Sequence, residues 1–187
     1  MGIYVLALIV LIFILGTALT YNRFVRLRNM VKEGWSGIDV QLKRRATLIP
    51  SLVETVKGYM GYERNLLSEI ADLRSRSLRT QKVGEKGEIE TALSKSLGSL
   101  MAVAEGYPDL KASQNFLELQ KELTDTEDQI QMARRYYNGT VRNLNIAVES
   151  FPSNIVAKLF TVVQAEFFAI DDANDRQAPQ VRMGSQK

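Results

Sequence analysis

The stretch GIYVLALIVLIFILGTALTYN, residues 2–22, decides the architecture of this chain. It contains no charged side chain, and the part from Ile3 to Leu19 is almost wholly isoleucine, leucine, valine, phenylalanine and alanine. A helix rises about 1.5 Å per residue, so about 20 apolar residues cross the ~30 Å hydrocarbon core of a bilayer. We therefore predict a transmembrane anchor over residues 1–21, with the lipid bilayer as the first partner of the chain.

Two other interpretations of this stretch fit less well. A cleavable signal peptide has a cationic start and a shorter apolar core, whereas no lysine or arginine precedes this run. Gly16, Thr17 and Ala18 would nevertheless permit cleavage, so this alternative stays open. A buried helix of a soluble protein should show a polar face, and residues 3–15 show none.

Basic residues follow the apolar stretch directly. The positive-inside rule therefore predicts a short N-terminus outside the cell and a body in the cytoplasm, with translocation of the body as the alternative. The same side chains are our candidates for contact with lipid headgroups at the membrane surface. They are Arg23, Arg26, Arg28 and Lys32.

Composition excludes several classes of chemistry. The chain has no cysteine and no histidine, which removes disulfides, thiolate and Ser-His nucleophiles and the usual transition-metal ligands. Its 24 basic and 21 acidic residues give a net charge of only +3, too weak an excess to indicate nucleic-acid binding. We expect no catalytic residues, no cofactor, no metal and no nucleic-acid partner.

Apolar residues recur every three or four positions along most of the remaining chain, which is the period of an amphipathic helix. The first stripe continues from the anchor, and Pro50 should bend it without ending it. Gly58 and Gly61 each disfavour a helix by about 1 kcal/mol relative to alanine. We predict that this helix ends near Lys57, with a single bent helix to Arg79 as the alternative.

Three further stripes predict three more helices. The second covers residues 66–79, the third residues 89–105 and the fourth residues 109–150. The glycines and charges of residues 82–87 predict a turn, and Asp109 is placed to cap the fourth helix. The spacing in the fourth helix is typical of a bundle or a coiled coil.

Helix lengths then predict a topology. The fold class is all-α: an N-terminal transmembrane helix that continues into an antiparallel up-down four-helix bundle, with two long and two short helices. The predicted segments are the anchor at 1–21, the bundle at 22–150, an amphipathic segment at 151–172 and a disordered tail at 173–187.

A short pattern occurs twice, once in each long helix. Because the fourth helix must return to the membrane, both copies should lie at a similar height, and we predict that they face each other across the helix pair. The paired residues are Tyr21, Asn22, Val25 and Asn29 in the first copy and Tyr137, Asn138, Val141 and Asn145 in the second. The alternative is coincidence between two helices of similar composition.

The C-terminal amphipathic segment should form a helix with one apolar side. Its aromatic and aliphatic residues are candidates for self-association, and packing under the bundle or lying along the membrane interface are the alternatives. The self-association candidates are Leu159, Phe160, Phe167 and Phe168.

Two charged clusters are interpreted as solvated surface. The acidic residues Glu122, Asp125, Glu127 and Asp128 could bind a divalent cation, but such spacing on an exposed helix face more often meets water. The basic run at residues 43–45 lies about 30 Å beyond the membrane, so we assign it to a partner or to solvent rather than to lipid.

Three blocks of sequence carry a family resemblance. They are YNRFVRLRNMVKEGWSGIDVQLKRRATLIPSLVETVKGYMGYE after the apolar span, ARRYYNGTVRNLN, and FPSNIVA. Together they resemble the LemA family of bacterial single-pass membrane proteins over nearly the whole chain. Departures from the family pattern are Gly34 in place of alanine, Ala46-Thr47 in place of a polar pair, and Tyr62 in place of histidine, which weakens any metal or acid-base role there.

The resemblance implies a helical bundle on an anchor in the bacterial inner membrane and no established reaction. Relatives of this kind are associated with membrane remodelling and organelle formation, and are often considered beside membrane metallopeptidases. Two hypotheses follow. The chain is a structural protein that self-associates as a homo-oligomer to organise or remodel membrane, or it is a monomeric adaptor or regulator of a membrane protein such as a metallopeptidase or a signalling protein.

Overall fold

A computed structural model describes residues 1–59 and 63–168, and these residues are mostly helical with no strand among them. The prediction of an all-α chain is confirmed. The described elements are α1 Gly2–Lys57, α2 Arg64–Arg79, α3 Val83–Ala104, α4 Pro108–Lys111, α5 Gln114–Glu149 and α6 Ser153–Leu159.

The first helix joins the apolar stretch to the bundle without interruption. α1 is 56 residues long and contains Pro50, so this proline does not end the helix. The helix ends at Lys57, as predicted, and the chain turns at Gly58. α2 begins at Arg64 as a separate helix.

Two long helices run in opposite directions. Phe24 near the anchor packs with Leu144 late in α5, whereas Arg45 farther along α1 reaches Glu127 earlier in α5. The pair comes close at Gly34, where an added Cβ would lie 3.1 Å from the Cα of Tyr137. Glycine at this position therefore allows the backbones of α1 and α5 to approach each other.

The core lies in three successive clusters along α1. The membrane-proximal cluster joins α1, α5 and the C-terminal segment, and the distal cluster joins the end of α1 with α2, α3 and the start of α5. The proximal cluster contains Phe24, Leu144, Ala147, Ala157 and Val162. The middle cluster contains Ile38, Leu42, Ile130, Tyr137, Val141 and Phe168. The distal cluster is built largely from Ile49, Leu52, Val56, Ile70, Leu93, Leu100 and Phe116.

The start of α3 differs from the prediction. Residues 82–87 do not form a turn, because α3 already begins at Val83. Lys86 is buried in the first part of this helix, where its ammonium group bonds the carboxylate of Asp39 at 3.0 Å. The ion pair with α1 and the burial of Gly87 offset the low helix propensity of the glycines.

The connection before α5 also differs. Asp109 does not cap the long helix, because it lies inside the separate four-residue helix α4. Ser113 holds the position before α5, and its side chain makes no capping hydrogen bond.

The C-terminal segment is only partly helical. α6 ends at Leu159, and Thr161 has a positive φ of 52° that turns the chain away from the helix. Residues 162–168 then follow without regular secondary structure, and we call them the strap. The predicted single amphipathic helix was therefore wrong, whereas its end at 172 and the predicted tail at 173–187 lie outside the described residues.

Candidate functional site

The apolar part of α1 is suited to a lipid environment. It is the one helix among residues 1–59 and 63–168 that is long and apolar enough to cross a membrane, with a mean hydropathy of 2.7 over a window of which none is buried. The hydroxyls of Thr17 and Thr20 donate to the carbonyl oxygens of Phe13 and Gly16, at 2.9 and 2.8 Å. These two hydroxyls are thus satisfied within the helix, as a bilayer requires.

The basic residues that follow the anchor all point outward. Arg23, Arg26, Arg28 and Lys32 are exposed on α1, next to the end of the apolar stretch. Their placement is compatible with headgroup contact, which stays a prediction. We call these four side chains the basic collar.

Two asparagines of α5 hold the strap through its backbone. The side chain of Asn145 donates to the carbonyl of Ala165 at 3.0 Å and accepts from the N–H of Ala165 at 2.8 Å. Asn138 makes the same pair of bonds with Phe168, at 3.2 and 3.0 Å. Each asparagine thereby pairs with the backbone as a neighbouring strand would.

A tyrosine on the same face of α5 adds a fifth bond. The hydroxyl of Tyr137 donates to the carbonyl oxygen of Glu166 at 2.8 Å. Burial of the phenol, together with the negative charge of Glu166, raises the pKa of Tyr137 above its usual value. The hydroxyl is therefore held in its protonated form, which is the form that donates.

These contacts correct the predicted helix-pair interface. The second copy of the repeated pattern does face inward, with Tyr137 and Val141 buried, but its asparagines bind the strap rather than α1. The first copy faces outward: Tyr21, Asn22, Val25 and Asn29 are all exposed. Phe24 occupies the inner face instead, because a large apolar ring gains more from burial than an amide does.

The four self-association candidates have different environments. Phe168 is buried and lies 5.9 Å from the ring of Trp35, so it belongs to the core and cannot form an exposed contact. Phe160 packs on Tyr21 at a ring distance of 4.7 Å. Leu159 and Phe167 are exposed, so that self-association through them stays a prediction.

A buried ionic cluster lies farther from the membrane, between α1, α3 and α5. The guanidinium of Arg45 pairs with the carboxylates of Glu90 and Glu127 and donates to the hydroxyl of Ser94 at 2.6 Å. Ser77 of α2 donates its hydroxyl to Glu90. The prediction that the basic run at 43–45 contacts a partner or solvent was therefore wrong for Arg45, of which only 1% is exposed.

The same cluster changes the interpretation of Glu127. Its carboxylate neutralises Arg45 and accepts from Gln131 at 3.0 Å, so it does not lie free on a solvated acidic face. No group of three metal-ligating side chains occurs among the residues that the structure describes.

A polar cleft of about 280 Å³ opens between α1 and the α2–α3 connection. Burial opposes ionisation of Asp39 at its floor, but hydrogen bonds from Lys43 and Lys86 prevail and hold the pKa of Asp39 below its usual value. The ammonium of Lys86 also lies 5.7 Å from the centre of the Trp35 ring. The cleft is lined by Trp35, Asp39, Leu42, Lys43, Ser77, Leu78, Thr80, Gln81 and Lys86.

Known relatives share most of the chain. The magnetosome protein MamQ of Magnetospirillum gryphiswaldense is 25% identical over 201 residues, which cover 94% of this chain and 73% of the relative. MamQ 1 of Paramagnetospirillum magneticum is 26% identical over 192 residues, 89% of this chain and 71% of the relative. Protein LemA of Metamycoplasma hominis is 28% identical over 168 residues, 85% of this chain and 76% of the relative.

A family model described as the LemA family matches residues 34–183. The matched region includes the buried Arg45 cluster, both asparagines of α5 and the strap. Together with the apolar N-terminal helix and the relatives, it supports a membrane-associated protein. The chain belongs to the LemA family.

Proposed function

We propose that this chain is a non-catalytic structural protein that self-associates in the plane of the membrane to organise or remodel it. The observation that carries the proposal is the continuity of α1 from Gly2 to Lys57. An unbroken helix transmits the direction of the anchor to the bundle, whereas a flexible linker would let the bundle rotate freely.

A fixed direction of the bundle favours assembly of neighbouring copies over binding of a distant partner. Copies held at the same angle and height present the same faces to one another, so weak lateral contacts act at a high effective concentration. Phe167 is an exposed apolar candidate for such contacts. Two of the relatives are named for the magnetosome and none of the three for a reaction, which supports a structural role.

The second candidate function is that of an adaptor for a membrane protein. The observation in its favour is the polar cleft beside Trp35 and Asp39, which is open to a partner and has no part in the structural proposal. An adaptor acts as a monomer and tolerates rotation of its bundle, and this separates the two proposals experimentally.

The test is a pair of seven-residue insertions between Tyr21 and Asn22. A flexible Gly-Ser insertion should uncouple bundle from anchor, whereas an alanine-rich helical insertion adds about two turns and keeps the direction nearly unchanged. In mild detergent, we expect wild type and the helical variant to have the mass of the same discrete oligomer and the flexible variant to be monomeric. Wild-type mass in the flexible variant would refute the role of α1, and a monomeric wild type would favour the adaptor.

We further propose that the N-terminus lies outside the cell and that the bundle lies in the cytoplasm of a bacterial cell. The support is the basic collar on the bundle side of the anchor. Because the chain has no cysteine, Gly2→Cys and Met132→Cys each provide a single thiol. A membrane-impermeant thiol reagent should label only Gly2→Cys in intact cells and both variants after permeabilisation. Labelling of Met132→Cys in intact cells would reverse the orientation.

A further inference from the structure

Four large apolar side chains in and next to α6 are exposed, and two of them, Ile155 and Leu159, lie about one turn apart on the helix. Phe151, Ile155, Leu159 and Val163 are 80%, 55%, 70% and 72% exposed. We call these four side chains the apron. The opposite side of the same segment is buried, since Ala157 and Val162 pack with Phe24 in the proximal core. The apron therefore faces away from the bundle on a segment that the bundle holds firmly.

The apron lies at the height where the anchor leaves the membrane. Phe160, next to Leu159, packs on Tyr21, and both rings line a shallow hollow on the anchor. The other residues of that hollow are Phe13, Ile14, Thr17 and Ala18. Because residues 3–19 form the apolar span, a side chain in contact with this part of α1 lies at the edge of the hydrocarbon region.

The polar groups around the apron suit the headgroup layer. Lys158 is exposed on α6 between Ile155 and Leu159, and a lysine stem can pass through apolar surroundings to place its ammonium group among phosphates. The basic collar begins at Arg23, two residues after Tyr21. An exposed apolar surface with flanking cations is the arrangement by which amphipathic segments lie in a membrane interface.

We propose that the apron inserts into the lipid leaflet on the bundle side of the membrane. Its occupant is lipid rather than a second copy, because the apron is continuous with the surface of an anchor that is already surrounded by lipid. Insertion makes a second attachment beside α1 and fixes the tilt of the bundle. It also adds apolar volume to one leaflet only. This inference rests on the membrane anchor and does not require self-association.

The experiment measures depth in the full-length protein in lipid nanodiscs. Single cysteines at Ile155 and Leu159 carry a nitroxide, whose collision rates with apolar oxygen and with a water-soluble nickel complex report its surroundings. Leu11→Cys in the anchor is the reference for lipid. Met132→Cys is the reference for water, because Met132 is an exposed apolar residue of α5 beyond Tyr137 as seen from the membrane.

We expect the labels at Ile155 and Leu159 to resemble the label at Leu11, with oxygen collisions several-fold more frequent than at Met132 and nickel collisions several-fold rarer. Labels that behave as at Met132 would overturn the proposal. Labels that are shielded from both reagents, but become accessible to them in nanodiscs that hold one copy, would show that a second copy covers the apron in place of lipid. That result would also overturn the proposal. All labelled positions are exposed, and an unchanged helix content by circular dichroism verifies the fold.

Discussion

Replacing Arg45 with methionine is expected to lower the free energy of unfolding of the bundle by about 3–5 kcal/mol. Arg45 is 1% exposed, and its guanidinium pairs with the carboxylates of Glu90 and Glu127, of which that of Glu90 is also buried. Without Arg45, the carboxylate of Glu90 would stay buried and would still accept from the hydroxyl of Ser77, but it would lose the positive charge that neutralises it. The change is measured by denaturant unfolding of the full-length protein in detergent.

Lys43→Met is the matched control for this experiment. It removes one positive charge two residues away, but the Lys43 side chain is 68% exposed, and a surface ion pair contributes about 0–1 kcal/mol. A second substitution, Glu90→Leu in the Arg45→Met background, removes the buried orphan charge and should recover part of the loss. Equal effects of Arg45→Met and Lys43→Met would show that the buried cluster does not stabilise the fold.

Replacing both Asn138 and Asn145 with alanine should release the strap. The two amides make four hydrogen bonds with the backbone of Ala165 and Phe168, and a net bond contributes about 0.5–1.5 kcal/mol. We expect a loss of about 2–6 kcal/mol in the free energy of opening of the strap. Hydrogen exchange at the amides of Ala165 and Phe168 measures it, because those N–H groups donate directly to the asparagines.

Asn143→Ala provides the control for the strap. Asn143 lies on the same helix between the two strap-binding residues but is exposed. Its substitution should leave exchange at Ala165 and Phe168 unchanged. If the double variant also leaves those amides protected, packing of Phe168 on Trp35 holds the strap and the asparagines do not.

Local pattern was sufficient to predict the helical architecture. The apolar stretch before Asn22 and the periodic stripes after it depend on residues close in sequence, which is why the end of α1 at Lys57 and the long partner helix α5 were predicted. The start of α3 was not predicted. Glycines near Gly87 indicate a turn locally, whereas the contact of Lys86 with α1 and the burial of Gly87, which favour a helix, depend on tertiary packing.

The buried cluster and the strap depend on partners that are distant in sequence. Arg45 lies in a basic run that looks solvated, and its burial follows from Glu90 and Glu127, which tertiary packing brings to it. The asparagines bind backbone groups of the strap, and such bonds leave no signature in the side chains of the strap. The one available signal was the pair Asn138 and Asn145, seven residues apart on one face of α5, and it was assigned to the wrong partner.

The proposal that α1 holds the bundle in a fixed direction for assembly is tested most directly by the mass of the full-length protein in mild detergent, beside the variant with the flexible insertion after Tyr21. We predict a discrete oligomer for the wild type and a monomer for the variant, with the anchor intact in both. A monomer in both samples, or the same oligomer in both, would contradict the structural role of the continuous helix.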